Sequence, residues 1–182
     1  MKKKTKKVTF FVVIIILLIT AGSLFFLGKQ TTQNNAVDLN KVKKTVDSLS
    51  VQEAVARFDS TYVLYLLSKI NVNALHKNPL TQNTPKIEIR LEDSIYSAEI
   101  KNSRIYVQNG EIEREDIAII TKKEEAVKMI KDENYAAESF QSGGSEVVLI
   151  ANKIDLFAKG YLKLYSSLTG ETIDVSSPEN QE

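Results

Sequence analysis

The chain has 182 residues, with 24 Lys and Arg against 23 Asp and Glu, one His and no Cys. The lack of Cys excludes disulfides, thiolate chemistry and Cys-based zinc sites, and the lone His76 cannot form a His cluster. Beyond residue 27 the balance is 19 basic to 23 acidic residues, a net of −4 that argues against a nucleic-acid partner.

Residues 1–7 carry five lysines and form a basic tip. Val8 to Leu27 follows as 20 residues without a charge. At about 1.5 Å per residue a helix of this length spans roughly 30 Å, the thickness of a bilayer's hydrocarbon core. The expectation is an N-terminal transmembrane helix at 8–27. The lysine cluster predicts a cytoplasmic N-terminus and a single-pass topology, with the rest of the chain outside the cell membrane. A cleaved signal peptide is the competing reading, since Ala21, Gly22 and Ser23 offer small residues for a cut. The apolar run continuing through Leu24, Phe25, Phe26 and Leu27 favours a retained anchor.

Residues 28–49 read as a polar linker leading into a stalk, with Leu39, Val42, Val46 and Leu49 on one helical stripe. The domain is expected at 50–172. Ser50 and Glu53 have capping-box spacing and open a helix predicted to run to about Ile70. Alternating segments at Lys86–Leu91, Ser94–Ile100 and Ser103–Gln108 predict strands. Asn109-Gly110 predicts a hairpin turn into a return strand at Glu111–Glu113, and Asp116–Ile120 predicts a further strand. Thr121 and Glu124 suggest a second capping box, opening a helix to about Asp132. A loop with Tyr135 and Phe140 precedes Glu146–Ala151, a continuous apolar run expected to be a central strand. Asn152 caps a terminal helix with a stripe of Ile154, Phe157, Tyr161, Leu164, Tyr165 and Leu168. Gly160 marks a break or close packing, and Gly170 the helix end. The segment 173–182 is polar and expected to be disordered.

Two motifs invite chemistry. Val147–Leu156, VVLIANKIDL, is similar to the guanine-reading motif of Ras-like GTPases, but the sequence has no G-x-x-x-x-G-K-[ST] phosphate loop, so a strand end with a helix cap is the better reading. Glu111, Glu113, Glu115 and Asp116 could suggest a metal site, yet read as a solvated sheet face among lysines and arginines. No catalytic residue, metal ligand or cofactor is assigned, and the chain reads as non-enzymatic.

The strings IYVQNG at 105–110, DIAIIT at 116–121, and Phe140 through Gly143-Gly144 into Glu146–Ile150 carry a resemblance to the sterol carrier protein 2 (SCP-2) like family over about residues 86–170. That resemblance implies an α+β domain with a mostly antiparallel sheet covered by helices, and an apolar tunnel for an acyl chain or sterol. The implied function is binding of a lipid or other apolar ligand at the membrane surface, with the lipid bilayer as partner. Candidate pocket residues are Leu149, Phe157, Tyr161, Leu164 and Leu168. The alternative is a ligand-free structural or protein-interaction module of the cell envelope, the class to which a pilin-like component would belong.

Overall fold

Side-chain oxygens of Asp38, Ser50, Asp59 and Asn152 accept hydrogen bonds from first-turn amides and so fix where four helices begin. The computed structural model describes residues 31–33, 37–132 and 134–174. Its helices are α1 (Leu39–Ser48), α2 (Val51–Ala56), α3 (Ser60–Lys69), α4 (Lys123–Lys131), α5 (Tyr135–Gln141), α6 (Lys153–Lys159) and α7 (Tyr161–Thr169). Its strands are β1 (Thr31–Gln33), β2 (Lys86–Arg90), β3 (Ile95–Lys101), β4 (Arg104–Asn109), β5 (Ile117–Ile120) and β6 (Glu146–Leu149). The described residues all belong to one compact unit that begins at Thr31.

The sheet order is β1-β4-β3-β2-β5-β6. β2 pairs antiparallel with β3 but parallel with β5, in a register that sets Ile87 against Ile117 and Ile89 against Ile119. The expected mostly antiparallel sheet is therefore corrected to a mixed one. The parallel pair arises because the chain leaves β4 at Asn109 and returns through 110–116 to start β5 beside the start of β2. The expected transmembrane helix is not among the described helices: none is long and apolar enough to cross a membrane, and residues 8–27 lie outside the described residues. The fold class is an α+β domain with a mixed sheet.

Alternation along the strands puts Ile87, Ile89, Ala98, Ile100, Ile105, Val107, Ile117 and Ile119 on one face, all buried. Helix α3 packs on β4 at this face and contributes buried Val63, Leu64, Leu66 and Leu67. Helices α1, α2, α3 and α5 gather around α4. The segment anticipated as a stalk thus contributes to the packed domain: Val46 of α1 is fully buried, and Lys131 Nζ donates to the carbonyls of Val46 and Leu49 at 2.7 Å each. The opposite face is polar. There Arg90 binds Glu88 at 2.6 Å and Glu115 at 3.4 Å, tying β2 to the 110–116 connection.

Other local expectations change with tertiary context. The helix expected from 51 to 70 stops at Ala56, and Asp59 restarts it by accepting from the Thr61 and Tyr62 amides. The two-residue hairpin is Asn102-Ser103, with φ of 51° and 59°, because Lys101 pairs with Arg104. Gly110 instead opens the connection to β5, at φ 92° with its amide on Ile95 O, and 111–113 is not a strand. Thr121 does not cap α4, since its hydroxyl meets Ser145 Oγ at 2.6 Å. The Tyr135–Phe140 loop is helix α5. β6 is an edge strand rather than a central one, half-buried at Val147, Val148 and Leu149. Gly160, in the left-handed region at φ 88°, separates α6 from α7.

Tyr62 in α3 is buried 5.5 Å from the Phe58 ring, and its hydroxyl has no hydrogen-bond partner among the described residues. An unsatisfied buried hydroxyl costs stability that a ring without it does not. Tyr62→Phe is expected to leave the domain unchanged or more stable by about 1 kcal/mol in urea unfolding. A clear loss of stability would show that the hydroxyl is satisfied.

Candidate functional site

Asp116 sits just before β5, where its backbone and side chain converge on four other segments. Its amide donates to Lys86 O at 2.9 Å, and its carbonyl accepts from the Ile150 and Ala151 amides. One carboxylate oxygen accepts from Lys159 Nζ at 2.6 Å. The other accepts from the Lys86 amide at 2.8 Å and the Tyr161 hydroxyl at 3.1 Å. Asp116, Lys159 and Tyr161 are all buried. Burial, reinforced by the Asp116 charge, pushes the Tyr161 phenol well above its ordinary value, so its hydroxyl stays protonated as a donor. A carboxylate, an ammonium and a phenol this close can move protons in an open site. Here both carboxylate oxygens are occupied and all three side chains are buried, an arrangement that braces strands and helices together.

A second polar chain lies at the other end of the sheet. Glu125 Oε2 accepts from Tyr135 OH and Ser139 Oγ at 2.9 Å each, Ser139 meets Ser145 at 2.9 Å, and Ser145 meets Thr121. Gly144 packs tightly here: a Cβ would lie 2.8 Å from Glu125 Oε2 and 3.3 Å from the Ser139 carbonyl, so a side chain would displace the Glu125 carboxylate. Burial raises the Glu125 carboxyl, but hydrogen bonds from Lys128, Ser139 and Tyr135 outweigh it and hold the group below its ordinary value. A carboxylate so stabilised is a weak base, and a serine needs a base to become a nucleophile. His76 is remote from this chain, bonded through its amide to Lys159 O. Ser145 lines two shallow clefts: one of ≈ 320 Å³, shared with Thr121, between the ends of β2 and β5 and the 143–146 segment, and one of ≈ 360 Å³ between β6, α5 and α7.

More apolar than these two clefts is an opening at the Lys86 end of the strands. Its volume is ≈ 430 Å³, and Leu75 and Ile100, both buried, form its floor. His76, Lys77 and Lys101 stand at its rim with the Asn102-Ser103 turn. Leu75 also lies over the α6–α7 joint, 3.7 Å from where a Gly160 Cβ would be. The cleft therefore shares its wall with the Asp116 cluster's helix end.

The structure distributes the five residues expected to line a pocket. Tyr161, Leu164 and Leu168 are packed in the core, and Leu149 is half-buried on edge strand β6. Phe157 points outward from α6. None of them lines the three clefts described above. The acidic run divides likewise: Glu111 and Glu113 are exposed, whereas Asp116 is the buried anchor. Sequence offered no signal for Lys159, since its partner lies 43 residues away. Among the described residues no three His, Asp or Glu side chains are grouped to hold a metal. No family model matches the chain, and no curated protein is found to be similar to it.

Removing one partner of a buried ion pair strands the other charge, at about 3–5 kcal/mol. Asp116→Asn is expected to destabilise the domain by that amount in urea unfolding, and adding Lys159→Met should recover most of the loss. Failure of the second change to rescue would mean that Asp116 acts chiefly through its other bonds.

Acid stability gives a separate check. The folded value of Glu125 lies below its ordinary 4.5, so it contributes stability that is present above pH 4.5 and lost as pH falls through the folded value. Glu125→Gln should flatten the stability profile below pH 4.5 relative to the parent chain. An unchanged acid limb would assign it to other carboxylates.

Proposed function

We propose that this chain is a non-enzymatic, membrane-associated module that binds an amphiphilic lipid in the cleft at the Lys86 end of its domain. The cleft itself carries the reading: ≈ 430 Å³ with Leu75 and Ile100 beneath a rim of Lys77 and Lys101. That volume falls within the roughly 300–1,000 Å³ range of small-molecule sites. An apolar floor under Lys77, with Lys101 paired to Glu99 at 2.8 Å, suits an acyl chain with an anionic head. The resemblance to SCP-2-like lipid-transfer domains supports the same ligand class, and its strings fall on β4, β5 and the α5–β6 segment. The apolar run at 8–27 and its lysines support a place in the cell membrane, with a cytoplasmic N-terminus and the domain outside.

A ligand-free interaction module of the envelope is the second reading. It is favoured by the close packing of Tyr161, Leu164 and Leu168, which leaves the expected tunnel wall inside the core. Fluorescent fatty-acid titration of the delipidated chain separates the two. The lipid binder is expected to saturate with one ligand per chain, and Thr84→Trp, which places a large ring at the cleft wall, should abolish binding. Lys77→Glu should weaken it about tenfold, the equivalent of ~1.4 kcal/mol. No binding by the parent chain would leave the interaction module.

A further inference from the structure

Among the described residues the three most exposed large apolar side chains lie on helix α6 and on a loop fastened to it, while the less exposed Ile120 lies apart at the end of β5. Leu80 is 86% exposed, Ile154 76% and Phe157 65%. Ile154 and Phe157 are three residues apart on α6 and share its outer face. Leu80 belongs to a separate loop that is fastened to the same helix. Asn78, itself buried, donates to Asp155 Oδ1 at 2.7 Å, and its own Oδ1 accepts from the Leu80 and Thr81 amides at 2.8 and 3.2 Å. Asn152 donates to the other Asp155 oxygen at 3.0 Å. A buried asparagine thus ties the loop that carries an exposed leucine to the helix that carries an outward isoleucine and phenylalanine. Half-exposed Ile150 continues the patch at the end of β6.

We infer that this face, made of Leu80, Ile154 and Phe157, docks on an anionic lipid bilayer surface. Charge supports that occupant. Lys153 lies one turn before Phe157 on the same side of α6, and Lys77 flanks the loop beside Asn78. The carboxylate of Asp155, on the same helix, accepts one bond from Asn78 and one from the cap residue Asn152. Apolar and aromatic tips ringed by lysines match the interface between acyl chains and anionic headgroups. Size argues against a second copy of the chain: three side chains expose on the order of a few hundred Å², whereas a stable protein interface buries about 800 Å² per partner. The inference rests on the membrane-associated reading, and docking through this face would open the adjoining Leu75–Ile100 cleft at the bilayer surface.

The chain contains no Trp, so a single introduced indole reports one position. Phe157→Trp and Ile154→Trp full-length chains are reconstituted into vesicles of three parts phosphatidylcholine to one part phosphatidylglycerol, with and without brominated acyl chains. Ser142→Trp, an exposed position beside the Glu125 chain, serves as the reference. Flotation of the vesicles reports whether the chain associates with lipid at all. The inference expects both patch indoles to shift to shorter wavelength and to lose about half or more of their emission to brominated lipid, with Ser142→Trp unaffected. Adding Lys77→Glu and Lys153→Glu should reverse most of the quenching. Chains that float while the patch indoles keep the spectrum of an exposed ring would overturn the docking face and leave the membrane reading standing. Chains that do not float would overturn both. A blue shift without bromine quenching that grows with protein concentration would assign the face to self-association and also overturn the inference.

Discussion

The Asp116 carboxylate is the constraint on which the arrangement of the domain depends. Its bonds and those of its backbone reach the start of β2 at Lys86, the end of β6 at Ile150, the end of α6 at Lys159 and the start of α7 at Tyr161. The mutual bonds between Lys86 and Asp116 stand one residue before the pairing of Ile87 with Ile117 and so set the parallel register of the two strands. A parallel pair has no tight turn to fix its register, and here a polar cluster supplies what a hairpin loop supplies elsewhere. The buried pair with Lys159 is not a strong source of net stability, because two desolvated charges cost much of what they gain. What it contributes is position: a shift of α6 against β5 would part the two charges and leave both buried without a partner.

Everything of functional interest at that end is placed by this cluster. Lys159 fixes the last turn of α6, its carbonyl receives the His76 amide, and Leu75 packs over the Gly160 joint. The cleft floor and the outward face of α6 are therefore held relative to each other by buried hydrogen bonds rather than by loops alone. The opposite end of the sheet is organised by a neutral hydroxyl chain ending on Glu125, against which Gly144 packs closely. The two ends differ in kind. One is a polar brace between helices and strands, and the other presents apolar side chains to solvent next to an apolar cleft.

Short-range features were legible because neighbours in the chain decide them. The Ser50–Glu53 capping box and the Asn152 cap with its Asp155 partner occur as their spacing implies. Gly160 and Gly170 both lie in the left-handed region and end their helices. Alternation at 86–90, 95–101 and 104–109 became strands with the anticipated inward isoleucines. Thr121 shows where such reasoning stops. Its spacing to Glu124 fits a cap, but a partner 24 residues away competes for the hydroxyl and wins because both groups are buried together. Asn109-Gly110 likewise has turn chemistry, yet the hairpin closed earlier, at Asn102-Ser103, once Ile100 had paired with Ile105.

The sequence by itself determined the periodicities, the helix starts, the apolar run at 8–27 and the absence of thiol and clustered-imidazole chemistry, since each depends on residue type at fixed short spacing. Only the tertiary structure decided that β2 and β5 run parallel, that β6 lies at an edge, and that Asp116 is buried while Glu111 and Glu113 are not. It also decided which side of the terminal helices faces inward. Tyr161 and Phe157 occupy one apolar stripe in the sequence, but the chain reverses its local twist at Gly160, where φ is positive, and the stripe is cut in two. Tyr161 then turns into the core and Phe157 out to solvent, because a helical stripe stays on one side only while the helix is continuous.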